Sequence, residues 1–149
     1  MYYSIIKTLL IYLCFYPFVS NAGNLKDMRF GDAKVGKVIS VYDADTFRVN
    51  IDDWPTIIGS NIPVRVRGVD APEIRGKCEK EKEKAKQARN FTVSQLEKGR
   101  VIELLNIQRG KYFRLIADVY IDGKSLSAEL QKNNLVRIYH GGTRASWCI

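Results

Sequence analysis

The chain has 149 residues, a length that suits one domain and leaves no room for a second independent one. Its 46% hydrophobic and 27% charged content lies in the globular range and excludes a disordered composition. A net charge of +8 points toward a polyanionic partner, nucleic acid before an acidic membrane surface, with solubility as the plain alternative.

Residues 1–22, "MYYSIIKTLLIYLCFYPFVSNA", hold one charge, Lys7, then an uncharged run from Leu9 to Val19 and the small residues Ser20 and Ala22. This is the layout of a secretory signal peptide cleaved after Ala22. The alternatives are an uncleaved anchor, a buried helix, or lipid attachment at Cys14. The apolar run is short for a bilayer span of roughly 20 residues, and "IYL" before Cys14 lacks the small residues of lipoprotein processing. The expected protein is therefore residues 23–149, exported and periplasmic or secreted. Those 127 residues carry 23 Lys and Arg against 16 Asp and Glu, a net charge of +7.

Next come "KVISVY", "DAD" and "TFRVNI", two strands around an acidic turn. Phe47, Val49 and Ile51 alternate with Thr46, Arg48 and Asn50, so the second strand has one buried face. Residues 52–61 contain Pro55 and Gly59 and read as a loop. "IPVRVRGVD" follows, with Ile62, Val64 and Val66 on one face and Arg65 and Arg67 on the other. Residues 77–98 form a helix without Gly or Pro. Ala85, Ala88, Phe91, Thr92 and Gln95 make its inner face, and Glu79–Lys82, Glu81–Lys84 and Glu83–Lys86 are spaced for exposed ion pairs. Gly99 ends it. "RVIELLNI" (100–107) and "YFRLIADVYI" (112–121) form a hairpin across "QRGK"; a short helix spans 125–133 with Leu126 and Leu130 inward, and "LVRIY" is a last short strand. The pattern predicts an α+β, mainly β domain: a five-stranded barrel with two packed helices.

Asp43 and Asp45 stand at one turn, and Asp70 and Glu73 just past the next strand. Neighbouring strands bring Asp45 and Asp70 to the same end of the sheet, where repelling carboxylates favour a hard divalent cation. Pro72 biases Ala71 to an extended conformation that can aim its carbonyl inward. Arg65, and Arg114 from a later strand, can bind phosphate oxygens in bidentate fashion. Metal, arginines and a glutamate together suit phosphodiester hydrolysis. On residue types alone, solvated turns and strand ion pairs remain open.

Cys78 and Cys148 form an even pair that, in an oxidising compartment, reads as a disulfide fixing "SWCI" to the body; two unrelated buried thiols are the alternative. No spacing suggests zinc.

The segments "DADT", "VRVRGVDAPE", "KYFR" and "VYIDGKSLSAEL", in this order, make residues 35–140 closely similar to the staphylococcal nuclease (thermonuclease) family. The resemblance implies an OB-fold barrel and calcium-dependent hydrolysis of single- and double-stranded DNA and RNA, with little sequence specificity, cleaving the 5′ phosphoester bond to leave 3′-phosphates. It implies Asp45, Asp70 and the carbonyl of Ala71 as calcium ligands, with Asp43 acting through water. Arg65 and Arg114 match the phosphate-binding arginines and Glu73 the general base. Lys111 and Tyr112 match substrate contacts. No stable protein partner is implied, and the chain is expected to be a monomer. The alternatives are a non-catalytic OB-fold binding module and a membrane-tethered accessory factor in DNA transfer.

This chain also departs from the family pattern. Ala71 replaces a threonine, Phe113 stands at a glycine position, and "QRGK" lacks an acid expected there. Tyr139 and His140 lie near, but do not clearly match, the family's nucleotide-pocket aromatics. Loop 52–61 is longer. "GGTRASWCI" replaces a third helix, as in exported bacterial relatives.

Overall fold

The computed structural model describes residues 28–148, so the proposed leader lies outside the described residues. One curled, mostly antiparallel sheet organises the fold, in the order β1 (Ala33–Lys34), β6 (Ile102–Arg109), β7 (Leu115–Ile121), β4 (Ile62–Val66), β3 (Thr46–Asn50), β2 (Lys37–Asp43), with β8 (Lys124–Ser125) on β7. Among the described residues the β4–β7 pair alone is parallel: the chain leaves β4, runs through α2 (Glu79–Lys98), returns as β6 and reaches β7 across an antiparallel pairing. This half-barrel with helices is the expected α+β, mainly β architecture.

The alternation read from the sequence is the alternation of burial. Phe47 and Val49 in β3, Ile62, Val64 and Val66 in β4, and Leu115, Ala117, Val119 and Ile121 in β7 are all buried. α2 lays Ala85, Ala88, Thr92 and Leu96 on the sheet, and α3 (Leu126–Lys132) closes the end with Leu126 and Leu130. Burying these side chains in one cluster is the main stabilisation, at ~1.5–3 kcal/mol for each large aliphatic or aromatic group before entropy is subtracted.

The structure corrects several details. Loop 52–61 contains a single helical turn, α1 (Thr56–Gly59), so the described residues hold three α-helices rather than two. Residues 112–114 are not strand: Lys111–Phe113 make a tight turn, and the strand begins at Leu115. "LVRIY" shrinks to β9 (Arg137–Ile138), which pairs with β5 (Val69–Asp70) in a separate two-stranded ribbon. Glu79 pairs with Lys82 at 2.6 Å as expected, but Glu81 turns inward and is buried. It accepts from the backbone N–H groups of Lys77 (2.9 Å) and Glu73 (3.4 Å), an N-terminal cap reaching back over the preceding loop. Gly76 leaves room for it, since a Cβ there would sit 2.4 Å from the Glu81 carboxyl carbon.

Candidate active site

The acidic turn is fastened to the loop after β5 by that loop's own backbone. The N–H of Ala71 donates to Asp45 Oδ2 (3.1 Å), and that of Ile74 donates to Asp43 Oδ1 (3.2 Å). Two acidic segments 25 or more residues apart are thereby stitched together, and Asp43, Asp45 and Asp70 are all buried. Behind the turn, the Thr92 hydroxyl donates to the Ala44 carbonyl (2.8 Å) and Arg89 Nε donates to the Val41 carbonyl (3.0 Å), so α2 braces it.

Antiparallel pairing sets Thr46 opposite Arg65 and so brings Arg65 beside Asp45. Its Nη1 lies 2.9 Å from Asp45 Oδ2, and its Nη2 donates to the Val69 carbonyl (3.1 Å). Arg67 goes elsewhere: Gly68, at φ +78°, turns the chain after β4, and Arg67 reaches Asp118 (3.1 Å), Gln108 and the carbonyl of Asn106. It ties the end of β4 to the bulge in β6.

Arg114 arrives on the "GKYFR" turn, which is closed by Gly110 N–H donating to the Arg114 carbonyl (2.7 Å). Tyr112 (φ 57°) and Phe113 (φ 60°) are left-handed, a conformation costly for bulky residues and natural for the glycine the family resemblance expects at 113. Arg109, stacked 4.0 Å over the Phe113 ring, offsets part of that cost.

Tyr42, Asp43, Asp45, Thr46, Arg65, Ala71, Glu73, Arg114 and Arg144 line one cavity of about 240 Å³. Arg114 Nε is buried there without a hydrogen-bond partner. Burial, and then the Arg65 charge, lowers the Arg114 pKa, the condition a phosphate would relieve. Burial raises the Asp43 pKa, and the charges of Asp45 and Glu73 raise it further, against the Ile74 N–H.

These residues fit a hard cation. Every candidate donor is oxygen, and Asp70 Oδ1 is buried with Arg144 Nε 3.1 Å away but without a well-aligned hydrogen bond. Asp70 itself faces the neighbouring cavity under the C-terminal tail, which Ala71, Glu73 and Arg144 also line. Lys111 and the exposed Tyr112 stand along an adjoining groove of about 330 Å³ with Tyr42, Arg48 and Arg114. Tyr139 and His140 line none of these three spaces.

Cys78 and Cys148 are joined by a disulfide. Glu81 lies close enough to both sulfurs to suggest a metal triad, but the sulfurs are already bonded to each other.

The family model of the staphylococcal nuclease homologue matches residues 63–145, more than half of the chain, and covers Arg65, Asp70, Glu73 and Arg114. The chain belongs to the staphylococcal nuclease homologue family. Among similar proteins of that kind, a "Probable endonuclease LCL3" of Phaeosphaeria nodorum is 28% identical over 103 residues, covering 65% of this chain and 34% of the relative. A "Probable endonuclease lcl3" of Pyrenophora tritici-repentis is 27% identical over 134 residues, 75% of this chain and 49% of the relative. The chain thus spans no more than about half the length of these curated relatives.

Three residues that line these cavities escaped the sequence reading: Arg144, Trp147 and Tyr42. The signal for the first two was Cys148, which carries the tail "TRASWC" back to Cys78, beside the Asp70–Glu73 loop.

Proposed function

We propose that this chain is a calcium-dependent nuclease that hydrolyses DNA and RNA with little sequence specificity, cleaving the 5′ phosphoester bond and leaving 3′-phosphates. The observation that carries the reading is one small cavity in which Arg65 and Arg114 face Asp43, Asp45 and Glu73, with a buried Arg114 donor unmatched by any protein acceptor. Family membership and the endonuclease names of the relatives support it.

Arg65 is held by Asp45 and the Val69 carbonyl, so its guanidinium is oriented before the phosphate arrives, while the turn fixes where Arg114 leaves the backbone. Both arginines donate to the non-bridging oxygens and stabilise the charge that grows as phosphorus gains a fifth ligand. Glu73 accepts the proton of the attacking water; the 5′ oxygen leaves with the bonding pair and takes a proton from solvent. Asp45, Asp70 and the Ala71 carbonyl would hold calcium, with Asp43 reaching it through water, and the ion would supply further positive charge against the phosphate. Lys111 and Tyr112 bind the rest of the strand along the groove, Tyr112 by stacking on a base. The basic charge of the domain draws in the polyanion, so affinity falls as salt rises. A disulfide suits export to an oxidising compartment.

Purified residues 23–149 should degrade single-stranded DNA, plasmid and RNA with calcium and stop on chelation. Arg65→Ala and Glu73→Gln should each lower kcat by about 100-fold or more, the scale of losing a transition-state donor or a general base. Salt-sensitive binding without cleavage under any divalent metal would support the binding-module reading instead.

A further inference from the structure

The tail from Gly141 to Cys148 returns across the mouth of the site. Its end is bonded to Cys78; Arg137 Nη1 donates to the Ser146 carbonyl (2.9 Å), and the Arg137 guanidinium lies 3.8 Å over the Trp147 ring. From this strap Trp147 Nε1 donates to Asp70 Oδ2 (3.2 Å). Arg144 spans two carboxylates, with Nε 3.1 Å from Asp70 Oδ1 and Nη1 2.7 Å from Glu73 Oε1.

We propose that Arg144 is a positioning residue of the hydrolytic reaction, holding Glu73 and Asp70 in their working orientation, and that the Cys78–Cys148 bond keeps it in place. The proposal rests on the nuclease reading above. Glu73 has a half-exposed side chain on a loop, and such a glutamate samples several rotamers unless a partner selects one. A planar guanidinium that touches both carboxylates fixes the spacing between them, which a lysine ammonium, a point charge on a flexible stem, does not.

Two observations separate positioning from the other roles an arginine could take. Arg144 Nε and Nη1 are committed to the carboxylates of Asp70 and Glu73, whereas Arg114 Nε is unmatched, so Arg114 is the better phosphate ligand. A carboxylate offers about four lone-pair sites, so Glu73 can still accept from water while Arg144 holds one oxygen.

The test compares wild type, Arg144→Ala, Arg144→Lys, Glu73→Gln and the Arg144→Ala/Glu73→Gln double variant on single-stranded DNA with calcium. Arg144→Ala should lower kcat about 10- to 100-fold, the usual cost of losing an outer support of a metal site, with KM changed less than about threefold. Arg144→Lys should recover only part of this. The double variant should be no slower than Glu73→Gln, because the arginine acts through the glutamate. In chelator, where nothing is cleaved, Arg144→Ala should bind a labelled oligonucleotide as tightly as wild type, while Arg65→Ala binds more weakly. Circular dichroism verifies that each variant is folded. Opening the disulfide with dithiothreitol should reproduce the kcat loss in wild type and add little to it in Arg144→Ala.

Unchanged kinetics in Arg144→Ala would leave a surface ion pair and overturn the proposal. So would weaker oligonucleotide binding, which would make Arg144 a phosphate ligand, and so would a faster variant, which would make it a plug. In those cases the nuclease reading stands; a wild type inert with every divalent metal overturns both.

Discussion

Replacing both Cys78 and Cys148 by alanine removes a covalent link between residues 70 apart in sequence. In the chain-entropy account, closing a loop of that size costs the unfolded ensemble about 15 cal/mol/K, or about 4 kcal/mol at 25 °C. Against a total stability of about 5–15 kcal/mol for a domain of this kind, that is a large share. With an unfolding entropy of about 2.1 cal/mol/K per residue, the described 121 residues give about 0.25 kcal/mol per degree, so Tm should fall by about 15 °C. Thermal unfolding followed by circular dichroism measures this directly, and urea titration adds a second readout. The urea slope should rise in the double variant, because an unfolded chain without the cross-link expands and exposes more surface. Dithiothreitol should move wild type to the same midpoint and leave the variant unmoved. A drop of less than about 5 °C with an unchanged urea slope would refute the reasoning, since it would mean that the bond restrains neither the tail nor the unfolded chain.

Asp43 has its pKa raised from 3.8 in the fold, by burial first, so its ionised form opposes folding. The stability it allows is complete below the unfolded value and is lost as pH rises through the folded one. In chelator at pH 7, Asp43→Asn should therefore melt above wild type, with the gap closing as pH falls toward 4 and calcium restoring the wild-type advantage; a wild type at least as stable in chelator at pH 7 would contradict this. Thr92→Val keeps the shape of a buried side chain but strands the Ala44 carbonyl. It should cost about 1–3 kcal/mol in urea unfolding and lower cleavage, because the turn carrying Asp43 and Asp45 loses its brace; a neutral result would show that the carbonyl finds another donor.

The polar residues of "VRVRGVDAPE" show how far the chain could be read before its fold was known. Arg65 and Arg67 are two apart and, by alternation, belong to one face. Yet Gly68 turns the strand immediately after, and Arg67 is spent on Asp118 while Arg65 lies beside Asp45. The helix at 77–98 was visible in its spacing, but Glu81, one member of an expected surface pair, is drawn inward by unpaired backbone N–H groups that no local pattern records. Phe113 stands out in the sequence as a departure from the family's glycine. The turn shows why it matters: the residue is left-handed and leans on Arg109.

Features that depend on neighbours within a few residues are legible in the chain. The strands follow from alternation, the helices from 3.6-residue spacing, and the order of acidic and basic segments marks the family. The cysteine pair foretold a pinned tail. Only the tertiary structure decided which charges meet: Asp45 with Arg65 across a strand pair, Asp43 with the backbone of Ile74, and Arg144 with Asp70 and Glu73 across more than 70 residues of chain. Such contacts arise from sheet register and chain closure, and a side chain's type fixes what it can bind but not which partner the fold brings to it.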